Sequence, residues 1–306
     1  MEKNKFIKDL ENLTFKDVVN LYLKEIKFNV ADGTYSARRC SFNRLGIFFN
    51  DCLLSEIFPR DLNIFLSNNL LKYKPQTVRY DLYNFGTLWN YAVNVWCLNL
   101  RSSPSKAIKV RKIPLVLRFL TSEQLKNLLS ACYQHSAKLG DLVLLAVNTG
   151  LRKTELLLLR WCDVDFANKT IFVRAEITKT KTARLVPLNL SAIRALLGRR
   201  CEFYEKGKNN LESFVFPATS QKLLSKNGVW HFYNSFIKVK NEIGLNDLRF
   251  HDLRHTFASA LVSCGVDLIK VRDLLGHSSI KMTERYAHLM KNDLYSAVSL
   301  LDDFFK

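Results

Sequence analysis

The sequence predicts a mainly α-helical protein with one small β-sheet, arranged as two domains. Three observations carry this. Apolar side chains recur at helical spacing along most of the chain, as in Phe15, Val18, Val19, Leu21, Tyr22, Leu23 and Ile26. β-Branched and aromatic residues flank a polar stretch only between Lys169 and Leu188. The length of 306 residues exceeds what one hydrophobic core usually organises. The divisions expected are a helical domain over 1–100, a basic connection over 101–118 and a second domain with a C-terminal tail over 119–306.

In the first domain four helices fit between about Thr14 and Trp96. Pro59 and Pro75 stand where two of them begin, at about Arg60 and Gln76, because proline is preset for the first helical turn. Asp32-Gly33-Thr34 supplies a turn followed by an N-cap. Between Asp81 and Glu123 no acidic residue occurs, while Arg101, Lys106, Lys109, Arg111, Lys112 and Arg118 all fall in the interval with Pro104 and Pro114. This reads as an extended basic strap, either a solvated connection or a run of phosphate contacts. The second domain opens at Leu120-Thr-Ser-Glu-Gln-Leu, where Thr121 or Ser122 can cap a helix. Helices then continue except at Thr170-Ile-Phe-Val and Ala183-Arg-Leu-Val-Pro, which predict strands joined by an exposed basic hairpin.

Composition narrows the function. Hydrophobic residues make up 48% of the chain and aromatics 12%, which excludes a disordered or fibrous protein. A balance of 46 Lys+Arg against 28 Asp+Glu gives a net charge of +18 and predicts attraction to polyanions, nucleic acid first. Neither a basic amphipathic helix nor a long apolar run points to a membrane. The seven cysteines are scattered without a C-x-x-C pair, so they read as reduced, mostly buried thiols. With no signal-peptide core at the start, the expected location is the cytoplasm, in association with the nucleoid.

Four segments of the second domain carry polar groups that a helical core does not require. In Asn148-Thr-Gly-Leu-Arg-Lys-Thr-Glu, Gly150 breaks one helix and Arg152 opens the next, with Glu155 three residues on. Arg152 is either a phosphate clamp or a surface arginine paired with Glu155. Lys179 sits in the hairpin near Lys181 and Arg184, as a reactive amine or a solvated one. In His251-Asp-Leu-Arg254-His255 the spacing sets His251 and Arg254 on one helical face and Leu253, Phe257 and Leu261 on the buried one. His251 and His255 also have metal-ligand spacing, but no glutamate stands between them and no third ligand lies nearby, so no metal is read. The last segment is Leu274-Leu-Gly-His277, followed by Tyr286 within Thr-Glu-Arg-Tyr-Ala-His.

Together, in this order, these segments resemble the tyrosine recombinase (phage integrase) family, whose active site consists of arginine, lysine, histidine-x-x-arginine, histidine and tyrosine. The resemblance is at motif level from about Phe119 to the end. It is looser in the first part, which looks like the family's core-binding (SAM-like) domain. It implies that Arg152 and Arg254 bind the phosphate, Lys179 is the hairpin lysine, His251 and His277 are the two histidines and Tyr286 is the nucleophile. Glu155 matches the acidic residue that orients the site. Lys179 is preferred to Lys181 because Thr-Lys-Thr-x-x-x-Arg-x-Val-Pro-Leu places it five residues before Arg184.

The chemistry suits these residue types. A tyrosine with a pKa near ~10 is a poor nucleophile at neutral pH and needs a base. A phosphodiester under attack gains charge that guanidinium forks can meet. The resemblance implies a site-specific recombinase acting through a 3′-phosphotyrosyl intermediate without metal, cofactor or ATP. Double-stranded DNA is the expected partner, bound in part by Lys106, Lys109, Arg111, Lys112, Lys181 and Arg184. A homotetramer on two sites is expected, with a monomer or weak dimer when free. The rival readings are a type IB topoisomerase and a DNA-binding regulator that does not cut. The run from Leu294 to Phe305 is too apolar for a free tail and packs on its own domain or on a neighbouring protomer.

Overall fold

The computed structural model describes residues 12–111, 117–205, 207, 210–217, 228–290, 298 and 301–302. The chain divides into two compact units, residues 1–115 and 116–306. The mainly helical class with one small sheet is what the sequence predicts.

Among the described residues the first unit holds four α-helices, α1 (Phe15–Ile26), α2 (Asp32–Phe49), α3 (Pro59–Leu70) and α4 (Pro75–Asn94). Thr14 caps α1 by accepting from the Asp17 amide. Both prolines occupy first-turn positions, where the missing N–H costs nothing. The core is aromatic: Phe15, Phe42, Phe49, Phe65, Phe85 and Trp89 are buried, and the Phe15 and Phe85 rings stack with centroids 6.1 Å apart. One charge is buried with them. Asp81 is fully enclosed and receives Arg44 through Nε (2.9 Å) and Nη2 (2.6 Å), tying α4 to α2.

Two expectations change here. Asp32, Gly33 and Thr34 are the first turn of α2 rather than a turn before it, and Ala31 stands at the cap with no side-chain bond. The basic strap is not extended over its first half. Trp89 Nε1 donates to the Arg101 carbonyl (2.9 Å), Arg101 Nη2 donates to the Ile57 carbonyl (2.7 Å), and a 3-10 turn follows at Pro104–Ala107. Leu98, Leu100, Ile108 and Val110 pack on the helical core between the basic residues. Those apolar positions hold the segment down while its cations face outward. Lys112 lies outside the described residues, as do most residues of the C-terminal run.

The second unit begins with α5 (Ser122–His135), where Thr121 and Gln124 cap each other reciprocally. Next come α6 (Ala137–Thr149) and the short α7 (Lys153–Leu157). A three-stranded antiparallel sheet follows in the order β1 (Val164–Asp165), β2 (Thr170–Val173) and β3 (Arg184–Pro187). The ladder between β2 and β3 runs from Thr170↔Pro187 to Val173↔Arg184, and residues 174–183 form the connecting turn. Helices α8 (Leu190–Glu205), α9 (Gly228–Glu242), α10 (Asp252–Ser263) and α11 (Leu268–Leu275) follow among the described residues, with 3-10 turns at Ile280–Met282 and Glu284–Leu289.

Helix α6 is the centre of this unit. It buries Leu139, Leu142, Val143, Leu145, Ala146 and Val147 and packs against α5, α8 and α10. A smaller cluster of Ala258, Val262, Val271, Leu275 and Tyr286 lies under α10, α11 and the last turn. Of the seven cysteines only Cys132 is buried; Cys40, Cys97, Cys162, Cys201 and Cys264 are exposed, contrary to expectation. Among the described residues no helix is long and apolar enough to cross a membrane.

Candidate functional site

The site is built where three chain breaks meet. Helix α6 ends at Gly150 in the left-handed conformation (φ 62°), and a Cβ there would lie 2.3 Å from the Phe257 ring. The chain turns and α7 begins with Arg152 as its cap residue. Glu155 closes the turn by accepting from the Arg152 amide (2.9 Å) and from Arg152 Nη1 (2.8 Å). Only 1% of Glu155 is exposed, so this pair is part of the interior rather than the surface pair that was the alternative.

A second cation reaches Glu155. Arg184, at the start of β3, donates from Nη2 (2.7 Å) and Nη1 (3.3 Å) to the two carboxylate oxygens. Burial by itself would raise the Glu155 pKa. The bonds from Arg184 and Arg152 outweigh it and hold the carboxyl below its ordinary range. Arg184 was expected to face DNA; it is turned inward instead, because an enclosed carboxylate needs more than one donor.

Arg254 is 3% exposed, although the sequence placed it opposite the buried face of α10. Its Nη1 donates to the Gly150 carbonyl (2.8 Å) and its Nη2 to the Leu275 carbonyl (2.6 Å). The neighbouring carbonyls are taken the same way: Leu274 accepts from Arg184 Nε (3.3 Å) and Gly276 from Arg152 Nη2 (3.2 Å). Three consecutive carbonyls at the C-terminal end of α11 thus hold three guanidiniums. Burial, and then the charge of Arg152, lower the proton affinity of Arg254. Positive charge is in surplus there, and an anion would relieve it.

His277 follows directly. Its Nδ1 lies 2.9 Å from Oγ1 of the fully buried Thr283. Burial, with Arg254 and Arg152 next in order, pushes its pKa down to about 3, so the ring is neutral. His251 stands at the cap of α10, and its ring meets that of His255 edge-on with centroids 5.1 Å apart. Its pKa is lowered too, by burial first and then by the Arg254 charge.

Tyr286 lies in the last turn, 1% exposed, with its ring in the small apolar cluster. Its hydroxyl is 2.6 Å from His255 Nδ1. Burial raises the phenol pKa to about 12 against the opposing charges of Arg285 and Arg254. Burial first, then His251, lowers His255 to about 4. The phenol is therefore the donor and the neutral imidazole the acceptor.

The structure brings Arg152, Glu155 and Arg254 together around the carbonyls at the end of α11, with His277 directly after them, and links His251, His255 and Tyr286 on α10 and the last turn. Lys179 is exposed on the β2–β3 turn, as is Lys181, which has a positive φ of 53°. That turn is closed by Thr178 Oγ1, which accepts from the Thr182 amide (3.1 Å). Between the turn and the His277 loop lies a recess of about 370 Å³, lined by Thr180, Thr182, Arg184, Gly276 and His277. In the first unit, Lys106 and Lys109 line an open groove with Arg79, Tyr83 and Asn90, and Arg111 is exposed.

Sequence reasoning missed two participants, His255 and Thr283. The four-residue spacing of His251 and His255 was visible but suggested only a metal; the partner of His255 is a phenol 31 residues away. Nothing local in the sequence marks Thr283.

Comparison with known proteins adds a relation. Residues 118–293 match the sequence model of the phage integrase family. The integrase of Salmonella phage P22 is 30% identical over 62% of this chain and 48% of its own length. A tyrosine recombinase XerC-like protein of Caldanaerobacter subterraneus is 29% identical over 97% of this chain and 85% of its own length. The chain thus spans about half of the phage P22 protein. In fold, the chain matches a lambda integrase tetramer bound to a Holliday junction, with a TM-score of 0.72 at 17% identity over 88% of this chain and 79% of that one.

Proposed function

Because the chain belongs to the phage integrase family, we propose that it is a site-specific DNA recombinase that cuts and rejoins strands through a covalent bond to Tyr286. The observation that carries this reading is the charge surplus at Arg152 and Arg254. Arg254 is fixed by two neutral carbonyls and Arg152 by the Gly276 carbonyl and Glu155, which Arg184 shares, beside a neutral histidine. Their remaining N–H groups suit the non-bridging oxygens of a phosphodiester, whose charge grows as a nucleophile arrives.

Attack needs a phenolate or its equivalent. From a pKa of about 12, ionising Tyr286 at pH 7 costs about 7 kcal/mol. The proton leaves as the new bond forms, guided by His255, which accepts from the hydroxyl, with His251 edge-on to the His255 ring. The new bond joins Tyr286 Oη to phosphorus. The P–O5′ bond breaks, and Lys179 on its exposed turn supplies the proton that O5′ needs to leave. The 3′-phosphotyrosyl ester conserves the bond energy, so a 5′-hydroxyl from another strand reseals DNA without ATP.

Lys106, Lys109 and Arg111 on the first unit, and Lys181 on the second, would make the phosphate contacts that fix register, leaving sequence choice to side chains in the grooves. Four protomers on two sites fit strand exchange between duplexes, and the lambda integrase tetramer on a Holliday junction supports that reading.

The test uses a duplex selected by binding from a random library and nicked so that the cleaved end diffuses away. Wild-type protein should leave a covalent adduct that survives denaturation, and Tyr286→Phe should leave none. An adduct of undiminished yield with Tyr286→Phe would overturn the assignment. Joining of the trapped strand to a second duplex separates a recombinase from a topoisomerase, which reseals only the original strand.

A further inference from the structure

We infer that Arg184 is a positioning residue that fixes the Lys179 turn to the phosphate-binding arginines through Glu155. The inference rests on the proposed reading of Lys179 as the acid and Tyr286 as the nucleophile. Lys179 has to deliver a proton to one oxygen atom, yet it is exposed on a turn of about ten residues between β2 and β3. A proton donor displaced by about an ångström loses most of its effect. The base of that turn is therefore the place where its position must be set.

Arg184 is that base. It is the first residue of β3 and pairs with Val173, the last residue of β2. Its backbone continues the ladder, and its side chain leaves the sheet to grip Glu155 with both terminal nitrogens and the Leu274 carbonyl with Nε. Glu155 holds Arg152 on its other side. One carboxylate thus joins the strand that carries the lysine turn to the arginine that would meet the phosphate. The loop of His277 is tied in as well, because Leu274 and Gly276 accept from Arg184 and Arg152 respectively.

A second feature of the fold accommodates the same side chain. Gly276 has a φ of 62°, and a Cβ on it would stand 2.9 Å from Arg184 Cδ and 3.0 Å from its Nε. The loop before His277 is shaped to let the Arg184 side chain pass. Arg184 thus runs between a buried carboxylate and a glycine, with both terminal nitrogens turned to Glu155. Removing it leaves Glu155 still paired with Arg152, so the interior survives the loss.

Sulfur in the leaving group separates this role from a structural one. A 5′-bridging phosphorothiolate leaves as a thiolate and needs no proton, so it bypasses the acid but not the arginines or the nucleophile. Single-turnover cleavage of the oxygen and sulfur forms of one nicked duplex is compared for wild type, Lys179→Ala, Arg184→Gln and Arg184→Lys. Arg184→Gln should cut the oxygen substrate roughly a hundredfold more slowly and recover to within a few-fold of wild type on sulfur, as Lys179→Ala does. Arg184→Lys, which keeps the charge and loses the fork, should fall between and recover likewise. Equal losses of either variant on both substrates, or no loss on oxygen, would overturn the coupling while leaving the acid intact. If Lys179→Ala itself fails to recover on sulfur, the acid assignment falls, and the coupling with it. An adduct made by Tyr286→Phe would remove the nucleophile instead.

Discussion

A phenol donating to an imidazole that has been emptied of its proton makes the Tyr286–His255 contact a pH-sensitive part of the fold. His255 has a folded pKa of about 4 against an ordinary value of 6.5. Burial is the main cause, with His251, Arg285 and Arg249 adding and Asp252 opposing. The folded value is depressed, so the unfolded chain binds the proton first as pH falls. Stability is complete above about pH 6.5 and is lost towards pH 4, by about 3 kcal/mol for this group. His277, depressed to about 3, acts in the same direction. Urea unfolding of the wild type at pH 7, 6 and 5 should show this decline, and His255→Phe should reduce its slope by about one proton. An unchanged slope would mean that His255 does not titrate on unfolding. The residue types of the proposed active group are readable in the sequence; the burial that tunes them is not, because it arises from contacts between α10, α11 and the last turn.

At the scale of elements, the starts of helices were the most legible features. Pro59, Pro75 and Thr121 act on bonds within four residues, so local sequence is enough to place them. Thr121 and Gln124 each satisfy an amide that would otherwise lack a partner. Thr121→Ala should therefore destabilise the second unit by about 1 kcal/mol, read as a fall in its thermal midpoint; an unaltered midpoint would show the cap to be replaceable by water. Where neighbours decide, the sequence misled. Asp32-Gly33-Thr34 has turn chemistry, yet the segment continues into α2, whose buried Phe42, Leu45 and Phe49 pack against the rest of the core. The basic strap reads as solvated because its charges are dense, while Trp89 and Arg101 pin it to the first unit. Arg184 carries no local mark of its inward course; its partner Glu155 is 29 residues earlier.

For the whole molecule, charge is the dominant property. A net +18 on 306 residues opposes compaction and favours any extended polyanion. Affinity for the selected duplex should fall steeply with salt; if about six phosphates are neutralised, the loss between 50 and 200 mM is roughly a thousandfold. Competition filter binding over that range would measure the slope, and a flat response would refute the phosphate contacts assigned to Lys106, Lys109, Arg111 and Lys181. These cations are exposed, whereas Arg152, Arg184 and Arg254 of the second unit are largely enclosed and bonded to backbone carbonyls. The first set would hold the duplex at many points; the second would act on one.

The end of α11 places the negative pole of a helix against three guanidiniums, with no acid group directly bonded to Arg254. Dipoles of fixed peptide groups stabilise a cation without cancelling its net charge, as a carboxylate would. On the proposed reading, a cradle vacated by a departing strand would need neither a mobile counterion nor a side-chain collapse to remain standing, and the next scissile group would find it already shaped.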